Sequence, residues 1–379
     1  MSRVILPGSR IGVMGGGQLG RMFILAARRL GYRVEVFVPE HDSPAGQVAD
    51  REIAKSYGDE EAVKQFARGV DVLTFEFENI PLQTVAWAAE HCEVRPRGEI
   101  LHTTQNRARE KAFLSAGGFP LPAWAPVSTA DDLAAAAERT GYPAILKTAS
   151  FGYDGKGQMQ LASAEDARHF DASRGPYVLE AKVPFVMELS VVVARGQDGE
   201  TVCYPVCEND HRNHILDTTV VPARVPGSVA ERATDLATRI AGSIGLVGVM
   251  AVEMFLLQDG SLLVNELAPR PHNSGHFSFD ACLTGQFEQQ LRAVCGLPLG
   301  SAELLRPCAM ANLLGDLWDR GEPDWAAAAA FAGVHIHIYG KAAPFPGRKM
   351  GHLTALGATP DEALERVLAA RRALRRGAD

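Results

Sequence analysis

The stretch RIGVMGGGQLGRMFILAARRLGYRVEVFV, residues 10–38, constrains the fold more than any other. The apolar run 11–14 stops at three consecutive glycines. Met22, Phe23, Leu25, Ala26 and Leu30 then recur near helical spacing, and 34–38 resumes as an apolar strand. A strand, a glycine turn, a helix and a further strand make a βαβ unit, and VDVLTFEF at 70–77 reads as another buried strand. An open, mostly parallel α/β sheet is the expected first domain, ending near residue 100. GGGQLG also satisfies GxGxxG through Gly15, Gly17 and Gly20, which after a strand points to an anion at a helix N-terminus. NAD is one candidate, with Glu40 near the place of a ribose-binding acid. No hydride-transfer residues accompany the loop, so a phosphate-bearing substrate is the preferred reading.

The whole chain of 379 residues leaves room for two or three domains. Its net charge is −7 and it has no block of Lys or Arg, which argues against nucleic acid or an anionic membrane as partner. No apolar run reaches membrane-spanning length. The glycine loop begins within 15 residues of the start, too early for a signal peptide ahead of the fold. Six cysteines without a CxxC pair read as reduced thiols of a cytoplasmic protein.

Further along, NRAREKAFLSAGGFPLPAW (106–124) reads as a helix stopped at Gly117-Gly118. YPAILKTA and YVLEAKV are short strands flanking the glycine-rich loop SFGYDGKGQMQ. Residues 228–245 form a helix ahead of a hairpin, GVHIHIYGK is a late strand, and TPDEALERVLAARRALRR closes the chain as an amphipathic helix.

The hairpin, AVEMFLLQDGSLLVNE (251–266), holds one carboxylate in each apolar arm. With Asp259-Gly260 as the central pair of a two-residue turn, Glu253 falls directly opposite Glu266 on one face. Like charges so placed repel. A hard divalent cation such as Mg²⁺ reverses the sign of that interaction. Two solvated glutamates are the ordinary alternative, but both neighbouring sequences are almost wholly apolar. NELAPRPHNSGH then packs Asn265, Glu266, Arg270, His272, Asn273 and His276 into one stretch whose prolines preclude a regular helix. A His/Glu zinc site would also use such residues, though no HExxH pattern or cysteine ligand accompanies them.

Gly152, Gly155 and Gly157 surround Asp154 and Lys156, a composition that lets backbone N–H groups approach phosphate oxygens. The loop lacks the GKS/GKT ending of a P-loop, and a simple turn has the same glycines. Lys147, inside apolar AILKTA, needs an anionic partner, and a nucleotide phosphate is one candidate. Lys341, Arg348 and Lys349 sit on or near the turn PGRKMGH, where surface charge is the plain reading.

Taken in order, GGGQLGRM, GYDGKGQ, GVMAVEMF, NELAPRPHNSGH and PGRKMGHL resemble signatures of the ATP-grasp superfamily, most closely of the N5-carboxyaminoimidazole ribonucleotide synthase family. The resemblance covers nearly the whole chain. It implies a mixed α/β and α+β architecture: a Rossmann-like pre-ATP-grasp domain (1–102), an ATP-grasp domain with nucleotide between two lobes (103–300) and a small C-terminal domain (301–379). It implies Mg²⁺, or Mn²⁺, on Glu253 and Glu266 beside Asn265. Arg107 and Lys147 would hold ATP phosphates under a mobile lid formed by Gly152, Tyr153, Asp154, Gly155, Lys156, Gly157 and Gln158. Glu180, Ala181, Lys182 and Val183 would present backbone groups to adenine, Glu188 would hold the ribose, and His211 would lie at the nucleotide edge. Aminoimidazole ribonucleotide would bridge Gln18, Leu19, Glu76, Asp154, Lys156, Asn273 and the cations Lys341, Arg348 and Lys349, which turns that turn from surface charge into a phosphate site. Arg270 and His272 would stabilise bicarbonate or carboxyphosphate, completing a catalytic group with Asp154 and Lys156. The resemblance also implies a homodimer.

The nearest rival is a formate-dependent glycinamide ribonucleotide transformylase of the same superfamily. That family has glutamate and aspartate where this chain has Gln18 and Asn273, as a charged glycinamide amine requires and a neutral aminoimidazole does not. An NAD-dependent oxidoreductase and a non-catalytic nucleotide-binding module are the rivals from other classes.

Overall fold

The computed structural model describes residues 4–150, 152, 157–169 and 175–375. The opening βαβ unit consists of β1 (Arg10–Met14), the helix Gln18–Arg29 and β2 (Arg33–Val38). With β3 (Arg51–Ala54), β4 (Val72–Phe75) and β5 (Glu93–Val94) it forms a parallel sheet in the order β3-β2-β1-β4-β5. Burial on both faces explains why β1, β2 and β4 at the centre are mostly apolar, while the edge strands β3 and β5 carry Arg51, Glu52 and Glu93. Leu25, counted with the apolar helix face, points outward at 43% exposure; Ile24 and Ala27 are buried in its place. The chain leaves β1 in one direction and returns through β4 on the other side. A crevice therefore opens at the carboxyl ends of β1 and β4, where such sheets bind ligands.

An antiparallel sheet follows in the order β6-β9-β7-β8, from β6 (Trp124–Val127), β7 (Ala144–Thr148), β8 (Gln158–Leu161) and β9 (Tyr177–Ala181). The largest sheet contains β10 (Phe185–Arg195), β11 (Thr201–Cys203), β12 (Cys207–Arg212), β13 (Ile215–Val221), β14 (Gly248–Leu257), β15 (Leu262–Ala268), β16 (Cys308–Leu314), β17 (Val334–Ile338) and β18 (Lys349–Leu356). Its order is β15-β14-β10-β12-β13-β16-β18-β17, with β11 paired to β10. The C-terminal strands extend this sheet through the β13–β16 pairing. The closing helix, Pro360–Ala373, buries Ala363, Val367 and Ala370 in the core formed with β16 and β18.

The helix Gln286–Cys295 joins the first sheet to the rest. Phe287 and Leu291 share a core with Leu19, Met22 and Phe23. The Gln290 amide donates to Thr74 Oγ1 (2.9 Å) while its carbonyl accepts from the Val249 N–H (2.6 Å), tying β4 to β14. The crevice of the first sheet is thereby held beside the hairpin that carries the two acids.

That hairpin does not use a two-residue turn. The Leu257 N–H donates to the Ser261 carbonyl (2.9 Å), so Gln258, Asp259 and Gly260 form the connection, with Gly260 at φ +82. Near the turn, Leu256 pairs with Leu262 and Met254 with Val264, one residue off the expected register. A β-bulge then inserts Asn265, and Glu253 pairs with Glu266 after all. Two single-residue offsets cancel. The expected pairing stands, but the reason is a longer turn corrected by a bulge, a device that re-aims side chains next to sites.

Candidate active site

Glu253 and Glu266 face a cavity of about 820 Å³ that lies between the two later sheets and the mouth of the first. Asn265, exposed to the same cavity by the bulge, places its Nδ2 3.4 Å from Glu253 Oε2. Burial, and then the charge on Glu266, push the Glu253 carboxyl up to about 7. Burial also opposes charge on Glu266, but Arg107, Lys147 and Arg270 outweigh it and hold that carboxyl below its usual range. A repelling pair of carboxylates beside an amide oxygen is a hard-oxygen donor set, which fits Mg²⁺ or Mn²⁺.

The opposite wall is cationic. Arg107 opens the helix Arg107–Ala116, whose first N–H groups are capped by the Asn106 side chain, and its Nη1 lies 3.3 Å from Glu266 Oε2. Lys147 on β7 has its partner within the protein: its Nζ donates to Glu180 Oε2 at 3.1 Å. Glu180 lines the cavity with Ala181, Lys182 and Val183, its side chain turned to Lys147 and Lys111. The N–H groups of Ala181 and Lys182 are bonded to the carbonyls of Ala123 and Pro143. Val183 lines the cavity beyond them, and Phe185 and Phe255 stack there at 4.7 Å and 11°. Glu188 and His211 also line it and are paired, Oε2 to Nδ1 at 2.7 Å. Burial opposes charge on His211, but the bond to Glu188 prevails and raises its pKa. Gly152 and Gln158 line the rim; Gly157 is described but does not; Tyr153, Asp154, Gly155 and Lys156 lie outside the described residues.

At the mouth, Arg270 Nη2 lies 2.6 Å from Glu78 Oε1, a bridge between the middle and first domains. His272 places Nε2 3.3 Å from Glu253 Oε1, with Nδ1 2.9 Å from Ser274 Oγ. Burial, and then Arg270, hold its pKa well below the usual range, so it offers a hydrogen bond and not a charge. Both of its nitrogens have partners within the protein, to Glu253 and Ser274. Asn273 is buried at the cavity wall, and neither its Oδ1 nor its Nδ2 has a partner among the described residues. A buried amide in that state is a strong mark of a ligand position.

The glycine loop differs most from expectation. The N–H groups of Gly17 and Gly20 donate to the two oxygens of Glu76, the latter at 2.7 Å, so the anion at this helix N-terminus is the protein's own carboxylate. A Cβ on Gly15 or Gly17 would come within 2.4 Å or 2.6 Å of the Glu76 side chain. The glycines admit Glu76, and the readings of a bound phosphate or a dinucleotide at this loop are corrected accordingly. Gln18 and Leu19 form the first turn of the helix beside Glu76, outside the lined cavity.

The three C-terminal cations also separate. Lys349, at the start of β18, lines the cavity. Lys341 donates to the Lys349 carbonyl (2.7 Å), and its charge reaches Glu76. Arg348 donates to the Ala343 carbonyl (2.6 Å) and stacks on Phe345, outside the lined cavity.

Sequence reasoning missed Glu78, Glu110 and Lys111. Glu110 lines the cavity and accepts from the Leu267 N–H (3.0 Å); burial, and then Glu266, push it up to about 8. Lys111 is buried against Glu180 Oε2 at 3.1 Å. Its place one helical turn after Arg107 was the available signal. For Glu78, the signal was a second acid just past a buried strand.

Residues 9–105 match the ribonucleotide synthetase preATP-grasp domain, 112–287 the ATP-grasp domain and 308–366 the phosphoribosylaminoimidazole carboxylase C-terminal domain. The N5-carboxyaminoimidazole ribonucleotide synthase of Bacillus subtilis (strain 168) is 45% identical over 369 residues, spanning 96% of each chain. N5-carboxyaminoimidazole synthetase from Staphylococcus aureus, solved with ADP, has a TM-score of 0.91 at 36% identity, covering 97% of this chain and 98% of that one. The Aspergillus clavatus synthase, solved with ADP and 5-aminoimidazole ribonucleotide, has a TM-score of 0.87 at 32% identity, covering 97% and 99%.

Proposed function

This chain belongs to the N5-carboxyaminoimidazole ribonucleotide synthase family, and from that premise we propose that its central cavity carboxylates the 5-amino group of 5-aminoimidazole ribonucleotide, coupled to ATP cleavage, in purine synthesis. The observation that carries the reading is one continuous cavity with a repelling acid pair, a cationic wall and the unpartnered amide of Asn273.

Arg107 and Lys147 bind the ATP phosphates, and Glu253, Glu266 and Asn265 would hold Mg²⁺ or Mn²⁺. The chemistry such an ion would supply is charge neutralisation at the phosphoryl group being transferred. Val183 and the carbonyl of Lys182 read the adenine edge, between the Phe185–Phe255 stack and Glu188, which takes the ribose. A bicarbonate oxygen attacks the γ-phosphorus, giving ADP and carboxyphosphate. Arg270 and the neutral N–H of His272 stabilise this mixed anhydride. The amine of the acceptor then forms its C–N bond to the carboxyl carbon, directly or to CO₂ released in place; inorganic phosphate leaves and the amine loses its proton. Asn273 hydrogen-bonds the aminoimidazole, Glu76 with Gln18 and Leu19 positions the ribose side, and Lys349, with Lys341 and Arg348 behind it, neutralises the 5′-phosphate. Asp154 and Lys156 complete the group from the glycine-rich loop.

A cytoplasmic homodimer completes the reading. The six cysteines are free thiols, which supports a reducing compartment. Among the described residues no helix is long and apolar enough to cross a membrane. The test is ADP release with each substrate pair. Turnover is expected with bicarbonate and aminoimidazole ribonucleotide; turnover that instead requires formate and glycinamide ribonucleotide would overturn the assignment.

A further inference from the structure

Glu180 lies between two lysines. Its Oε2 is 3.1 Å from Lys147 Nζ and 3.1 Å from Lys111 Nζ. Lys147 comes from β7, Glu180 from β9 and Lys111 from the helix Arg107–Ala116. Side-chain exposure falls from 10% at Lys147 to 3% at Glu180 and 1% at Lys111; Lys147 and Glu180 line the cavity and Lys111 lies behind them. The Lys111 contact is an ion pair without hydrogen-bond geometry, and its Nζ has no hydrogen-bond partner among the described residues. A buried ammonium so placed is costly, and a simple Lys147–Glu180 pair would have held β7 to β9 without it.

The charge of the group explains its retention. Glu180 with Lys147 alone sums to zero and presents the triphosphate with a neutralised lysine. With Lys111 added, the group carries one net positive charge, and Lys147 is its most exposed member at the cavity. We infer that Lys111 is a positioning residue for nucleotide binding: it neutralises Glu180 from behind so that the full charge of Lys147 acts on the phosphates. The inference rests on the reading of this cavity as an ATP site, and it concerns a residue that touches no substrate.

The test restores charge without restoring the side chain. Lys111→Met fills similar volume and leaves Lys147–Glu180 neutral. Affinities for ATP and for adenosine are measured by calorimetry on the full chain, with thermal unfolding as the folding control. ATP binding is expected to weaken at least about tenfold, as for a lost charge near phosphate in a partly buried site, with adenosine unchanged. The double variant Lys111→Met/Glu180→Gln again carries one positive charge and is expected to recover most of the ATP affinity. Lys111→Gln, alone and with Glu180→Gln, removes the same charge if the methionine variant does not fold. Equal weakening of ATP and adenosine, or a double variant no better than the single, would overturn the inference and leave the site assignment standing. Failure of the wild-type protein to bind ATP would overturn both.

Discussion

Replacing Glu266 by Gln removes one charge from the facing pair and leaves its shape. Coulomb's law sizes the repulsion involved, and the shift of Glu253 sets an upper bound on it. Unit charges about 5 Å apart on paired strands, at an effective dielectric constant near 20, repel by about 3 kcal/mol. Moving the Glu253 carboxyl from 4.5 to about 7 corresponds to roughly 3 kcal/mol, with burial the larger cause and Glu266 the next. Glu266→Gln relieves part of that strain and costs Arg107 its 3.3 Å partner, while Glu180 and Glu110 remain near Arg107. The two effects oppose each other, so stability should change by no more than about 1 kcal/mol, a melting shift of a few degrees at most. Activity should not survive so well: loss of one group that stabilises charge at a phosphoryl centre costs about a hundred- to a thousand-fold. ADP release at saturating Mg²⁺ and differential scanning calorimetry read the two quantities separately. The wild-type protein should also lose divalent-cation affinity as pH falls below about 7, because the ion must then displace the proton on Glu253, and should show a plateau above it. In Glu266→Gln the fall begins at lower pH. Turnover near the wild-type rate in the variant, or wild-type Mg²⁺ affinity that ignores pH between 5 and 8, would refute the metal assignment.

Lys349→Ala should raise KM for aminoimidazole ribonucleotide by about ten- to a hundred-fold, the worth of a charge-assisted contact to phosphate, with KM for ATP nearly unchanged in the same steady-state assay. Gly15→Ala should lower the melting temperature by several degrees, since Gly15 has φ +111 and a Cβ there meets Glu76 Cγ at 2.4 Å; strain and overpacking each cost about 1–3 kcal/mol. Calorimetric unfolding of that variant within a degree of wild type would show that the glycine is not needed to admit Glu76.

The hairpin shows how far local reasoning reaches. The acids at 253 and 266 were legible as a pair because apolar arms make a charged residue conspicuous. The route to their pairing was not, because a turn one residue longer and a bulge at Asn265 leave the same end-point in the sequence. Lys147 shows the converse: its need for an anion was legible, but the anion is Glu180, which arrives from another strand. Asn273 was legible as one polar residue of a dense polar loop, but not that its amide is buried without a partner among the described residues.

By itself the sequence determined the parallel first sheet, the facing acids, the motif order and hence the family, because periodicity, glycine placement and charged residues in apolar runs are properties of short stretches. Tertiary structure alone decided who answers each charge. It set Glu76 in the glycine loop, Lys111 behind Glu180 and Lys349 rather than Arg348 at the cavity wall. Those pairings join segments tens to hundreds of residues apart, and electrostatic energy depends on separation and burial in space, which spacing along the chain does not encode.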